Sequence, residues 1–178
     1  MDISERSMHK VKSCLQTLSA EYGDFERIEE TWNVSLSTYR GIVERFEQGG
    51  FGGAGVWITN EPGAVLLVRN EGDEGWSDPG GKVEGGESFE AGAKREVREE
   101  TGVQCRLTGL CEVHIITHRP NNTDAPPIHA PIVIFHGEYV SGEPRPREGE
   151  IAEVGWFREP PANVLYEEVR TRPYPACD

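Results

Sequence analysis

Lysine is nearly missing from this chain. Only Lys10, Lys12, Lys82 and Lys94 occur in 178 residues, and 31 acidic residues outweigh 18 basic ones to give a net charge of −13. A surface of that sign repels a phosphate backbone, which disfavours nucleic acid as a general partner. Long apolar runs are lacking too: none approaches the roughly 20 residues of a membrane span, so no membrane partner is expected. Met1–Ala20 is broken by Glu5, Arg6, Lys10 and Lys12 and does not read as a signal peptide. The cysteines Cys14, Cys105, Cys111 and Cys177 show no C-x-x-C spacing, which reads as the reduced thiols of a cytoplasmic protein.

Several catalytic signatures are absent or misplaced. There is no G-x-S-x-G elbow. Val83 stands where a phosphate-binding P-loop needs Ser or Thr after Gly81-Lys82. Gly50 to Gly55 spells G-x-G-x-x-G, but it precedes a strand-like run where a dinucleotide fingerprint would open a helix. The glycine-rich stretch 49–55 reads instead as a flexible hinge.

What is present is a dense acidic segment. Gly81 to Val103 reads GKVEGGESFEAGAKREVREETGV. Ser88 is a good N-cap, Glu90 suits the positive end of the helix dipole, and Gly102 is placed as a C-cap. Phe89, Ala93 and Val97 make a buried stripe. Glu96, Glu99 and Glu100 fall at i, i+3 and i+4 on a different face, where like charges repel. Hard oxygen ligands so grouped bind Mg²⁺, Mn²⁺ or Ca²⁺. An ordinary solvated helix also alternates Arg and Glu, but the wider spacing is more specific: Gly81, Glu87, Arg95, Glu96, Val97, Glu99, Glu100, Gly102 and Val103 all sit at fixed positions of one pattern.

This pattern resembles the Nudix box of the Nudix hydrolase (MutT-like) superfamily. The resemblance implies an α/β fold, an α/β/α sandwich with a mixed central sheet, here preceded by an N-terminal helical extension. The domains expected are 1–48 (helical extension), 49–55 (linker) and 56–178 (hydrolase). Val56–Thr59 and Ala64–Arg69 read as a hairpin turning at Asn60–Gly63. Glu112–Thr117, Ile132–Val140 and Glu150–Phe157 are strand-like, and Val164–Arg170 reads as a closing helix. The sequence departs from the family pattern at Asp78, where an apolar residue is usual.

The resemblance further implies metal-dependent hydrolysis of a pyrophosphate bond in a nucleoside diphosphate linked to another group, with Mg²⁺ or Mn²⁺ as cofactor and a small nucleotide as partner. Glu96, Glu99 and Glu100 are the expected metal ligands, the Gly81 carbonyl an extra one, Arg95 their orienting residue and Glu87 a support. A distal glutamate serves as general base in some members; Glu148 is the first candidate in the loop from Gly142 to Glu150, and Glu150 the second. His118 or Arg119 is expected in a substrate-facing loop. His114 and His118 do not complete a tetrahedral zinc set. Pro120 weakly favours an ADP-ribose-like substrate. Two other readings stand: a catalytically silent nucleotide sensor, and an interaction protein using its N-terminal helices.

Those helices are visible in Met8, Val11, Leu15, Leu18 and Tyr22, and in Tyr39, Ile42, Val43 and Phe46. They read as a homodimerisation or lid element, or as helices packed on the domain's edge.

Acid excess with scarce lysine also fits a protein adapted to a salt-loaded cytoplasm, where a short Debye length removes self-repulsion. On that reading the melting temperature rises steeply from low salt to molar KCl, with NaCl acting alike over the lower part of that range; a flat curve leaves the acidity an ordinary solubility feature.

Overall fold

The computed structural model describes residues 1–177. Helix α1 (Ile3–Tyr22) begins in a capping box, the Asp2 carboxylate accepting from the Glu5 N–H and the Glu5 carboxylate from the Asp2 N–H, both at 2.9 Å. Its Val11, Leu15 and Leu18 are buried. Strand β1 (Glu26–Val34) follows, then helix α2 (Leu36–Glu47), capped by Ser35. Strands β2 (Gly53–Thr59) and β3 (Val65–Asn70) form the expected hairpin, Asn60 capping the turn by accepting from the Ala64 N–H. Two short strands, β4 (Trp76–Ser77) and β5 (Gly80–Lys82), lead into helix α3 (Phe89–Thr101). Long strands β6 (Gln104–Pro120) and β7 (Ile128–Ser141) precede β8 (Ile151–Phe157), a one-turn helix α4 (Glu168–Thr171) and a final 3-10 turn, Pro175–Cys177.

All eight strands join one mixed sheet, ordered β1-β6-β7-β2-β3-β4, with β5 on β2 and β8 on β3. β1 runs parallel to β6 and β2 parallel to β7; the other pairs are antiparallel. Alternation along β2 divides the core: Val56 and Ile58 meet α1 and α3 on one face, while Trp57 packs with Val65, Leu67, Val169 and Tyr174 on the other.

Three expectations change. The stretch 49–55 is no free hinge: Gly53–Gly55 open β2 and pair with both β5 and β7. Residues 1–48 are not helical throughout, because β1 extends the sheet beside β6; its three glutamates and one arginine suit a charged edge strand and hide its alternation. The expected closing helix shrinks to Glu168–Thr171, since Val164 instead bridges to Trp76 and the Leu165 N–H donates to the Trp76 carbonyl.

Since α1 shares its core with the sheet, Leu18→Ala is expected to lower the whole unfolding transition by about 2–5 kcal/mol. Urea melts followed by far-UV circular dichroism check this; a loss confined to a separate N-terminal transition would contradict it.

Candidate active site

The acidic helix and the glycine loop meet because glycine removes what would keep them apart. β5 folds onto β2 in the register Ala54↔Gly81 and Gly55↔Gly80. A Cβ on Gly80 would lie 2.5 Å from the Ala54 carbonyl oxygen, and one on Gly81 2.6 Å from the Glu96 carboxylate. α3 turns Ala93 and Val97 into the core and sets Glu96 and Glu100 against this loop, with Glu99 on the same helix. Glu100 is 3% exposed, and its Oε1 accepts the Gly80 N–H at 2.6 Å.

Arg95 organises the remaining acids. Its Nε and Nη2 donate to the two Glu87 oxygens at 2.8 and 3.0 Å, a bidentate pair. Nη1 donates to Glu96 at 2.9 Å and Glu99 at 3.1 Å, and Nη2 also reaches the Lys82 carbonyl. The Arg95 hydrogen bonds hold Glu87 below the usual carboxylate range. Glu96 rises instead, because burial outweighs Arg95. Glu100 is pushed up to about 8, first by burial, against the opposing Gly80 N–H, and further by the charges of Glu96, Glu150 and Asp78. Crowded hard oxygens that resist ionising together fit a divalent cation.

The loop after β7 reaches the same face. The Arg145 N–H donates to the Thr101 carbonyl and the Arg147 N–H to that of Glu100. The Arg147 Nη1 lies 3.4 Å from Glu99 Oε2 and 3.3 Å from Glu150 Oε2, so one guanidinium bridges the two acids. Glu148 is exposed.

Beside the glycine loop opens a cavity of about 960 Å³, lined by Gly80, Gly81 and Lys82 at the acidic end and by Ile116, Ile132 and Ile134 of the sheet. Such a volume suits a nucleotide-sized ligand. Glu30 and Trp32 of β1 and Thr38, Ile42 and Arg45 of α2 also line it. His118 lines the cavity from within β6 rather than from a loop, its ring edge-on to Trp32 with centroids 5.6 Å apart and its Nδ1 buried without a partner. Arg119, the next residue on the strand, is exposed and outside the lining.

Sequence reasoning missed a buried charge chain along this cavity. Arg172, 6% exposed, donates through Nη1 to Asp78 at 2.7 Å and through Nε to Glu112 at 2.8 Å. The Tyr166 hydroxyl donates to Asp78. Glu112 bonds the His114 Nε2, and the His114 Nδ1 lies 2.9 Å from Glu30. Glu30, His114 and Glu168 bring ligand atoms within 4.8 Å of one another. Both His114 nitrogens face carboxylates, however, an arrangement that favours imidazolium: burial opposes the charge, and the bonds to Glu112 and Glu30 outweigh it, holding its pKa above the ordinary value. The one signal available in the sequence was Asp78, the departure from the box pattern.

Residues 51–174 match the NUDIX domain family, and the chain belongs to it. It is 40% identical over 82 residues to the NAD-capped RNA hydrolase NudC of Pseudomonas aeruginosa (strain LESB58), covering 46% of this chain and 26% of that one. A crystal structure of a MutT NUDIX hydrolase from Burkholderia pseudomallei is 28% identical, with a TM-score of 0.52 over 65% of this chain and 90% of its own. The fold of a UDP-X diphosphatase, 20% identical with a TM-score of 0.53, covers 92% of this chain and 74% of that one. The chain spans less than two thirds of the length of the curated relatives it matches. Nudix hydrolases generally use divalent metals.

The charge chain sets an acid limit on the fold. Burial works against ionisation of Glu112, but hydrogen bonds from His114 and Arg172 prevail and hold it at about 2, against an ordinary 4.5. A folded pKa below the unfolded one gives stability that is complete above the ordinary value and lost as pH falls from 4.5 towards 2. The urea midpoint is therefore expected to fall through that window more steeply in the wild type than in Glu112→Gln. At neutral pH Arg172→Leu, which strands two buried carboxylates, is expected to cost about 3–5 kcal/mol.

Proposed function

We propose that this chain is a divalent-metal-dependent pyrophosphohydrolase cleaving a nucleoside diphosphate linked to a further group. The observation that carries this reading is the meeting of Glu96 and Glu100 with the glycine loop, Glu99 being tied to them through Arg95, at one end of a nucleotide-sized cavity. Those three carboxylates would hold the metal, with the Gly81 carbonyl as a further ligand and Mg²⁺ or Mn²⁺ as the ion their hard oxygens prefer. When bound, the ion supplies charge neutralisation for the pyrophosphate and a more acidic water.

The chain's own residues do the rest. Arg95 fixes the carboxylates, and Glu87 fixes Arg95. Lys82 and Arg45 line the cavity and offer cations to substrate phosphates, offsetting a strongly acidic molecule. The attacking water passes its proton to a carboxylate as its oxygen joins phosphorus; the bridging P–O bond breaks, giving a nucleoside monophosphate and the phosphorylated second group. Glu150 is the favoured acceptor, ahead of Glu148, because Arg147 couples it to Glu99. An interaction protein working through its first helix is disfavoured, since the apolar stripe of α1 is already buried.

The test is release of products from a panel of nucleoside triphosphates, sugar nucleotides, ADP-ribose and dinucleotides with Mg²⁺ or Mn²⁺. Turnover of at least one is expected; binding without turnover across the panel would support the silent sensor instead. Glu99→Gln is expected to lower kcat by at least about 100-fold with the melting temperature kept. Glu150→Gln is expected to lower kcat by about 100- to 10,000-fold, the usual span for a general base, and Glu148→Gln by much less; the reverse order would return the role to Glu148.

A further inference from the structure

The hydrolase reading does not say which part of the chain meets the organic end of the substrate. One wall of the cavity comes from residues before position 51, where the family match begins: Glu30 and Trp32 on β1, and Thr38, Ile42 and Arg45 on α2. Trp32 is the largest of these side chains and keeps 42% of its surface exposed. An indole left open on a cavity wall is a stacking surface for a planar ring.

The sheet register fixes how far it stands from the acidic end. Gly53 lies level with Ile132, Ile132 with His114, and His114 with Ile28. Trp32 sits four residues beyond Ile28 on β1. That places it three strands, about 14 Å, across the sheet and about 13 Å along it from the glycine loop's partner strand. A pyrophosphate alone cannot span both ends, so a substrate that engages the carboxylates and also reaches Trp32 does so through its organic portion.

The indole is also held. Its Nε1 donates to Glu30 Oε2 at 3.1 Å, while Glu30 Oε1 is taken by His114, and the chain continues through Glu112 and Arg172 to Asp78. Asp78 precedes Pro79 and the glycine loop itself, so one polar path connects the box to the indole.

We infer that Trp32, on the β1–α2 segment that lies outside the matched family region, is the stacking platform for the substrate's nucleobase. Trp32 is the residue that touches substrate; Glu30 and His114 act through it as positioning residues. The inference rests on the hydrolase reading for the substrate class, but not for the stacking itself.

Two measurements test it. Indole fluorescence of the wild-type protein is titrated with AMP, with GMP and with ribose 5-phosphate, which lacks a base. Quenching by the nucleotides alone is expected, and it disappears in Trp32→Phe, leaving the signals of Trp57, Trp76 and Trp156. Steady-state kinetics on whichever panel nucleotide is cleaved should show KM raised about 10- to 100-fold in Trp32→Ala, in line with the value of one base–aromatic stack, with kcat within threefold and KM restored in Trp32→Phe. A KM for Trp32→Ala within twofold of the wild type, or quenching that persists in Trp32→Phe, overturns the proposal. If no nucleotide is cleaved, the hydrolase reading fails and the fluorescence titration still decides the role of Trp32. Should Trp32→Ala not fold, Trp32→Phe decides by the same titration.

Discussion

Arg172 is the fixed point of the cavity side of this molecule. A guanidinium withdrawn from water is tolerated only when its charge is met, and here Asp78 and Glu112 meet it from the loop before β5 and from β6. Its planar fork also lies over the Trp57 and Tyr166 rings, at 5.1 and 5.0 Å from their centroids. One side chain from the C-terminal segment thus joins the loop that shapes the acidic site, a central sheet strand and the wall of the cavity. A lysine could supply the charge but not these directions at once.

The acidic site was largely legible in the sequence because its determinants are local. N-cap, apolar stripe, C-cap and glutamate spacing all lie between Ser88 and Gly102, and the structure has the helix there with Gly102 left-handed at φ 74°. Elements whose reason lies far away in the chain were not legible. β1 is recognisable only through its pairing with β6. Glu150 stands out from Glu148 only once Arg147 is seen between it and Glu99. Arg172 looks like an ordinary tail residue until two acids from distant elements close on it, and Asp78, odd against its family pattern, then becomes a required partner.

Glycine has a structural duty around the site that its abundance in the sequence disguised. Gly55, Gly80 and Gly81 each face backbone or carboxylate at distances a side chain would violate, and Gly53 lies tight against the Gly81 carbonyl. Part of the stretch that resembled a hinge is therefore built into the sheet, with Gly53 to Gly55 opening β2. Its lack of side chains lets three strands and the acidic helix approach one another and opens the cavity floor beside the carboxylates.

The pairing of β1 with β6 also governs when the cavity exists. Glu26 pairs with Glu112, a partner 86 residues later, and among the described residues β1 pairs with no other strand. β6 and β7, by contrast, are neighbours in the chain. Contacts of long sequence separation form late, because chain entropy is lost before the contact repays it. On the ribosome the first fifty residues must wait for β6 to emerge before their strand has a template. The wall built from residues before the matched family region is thus the part whose assembly lags, and until it docks the cavity stands open on that side.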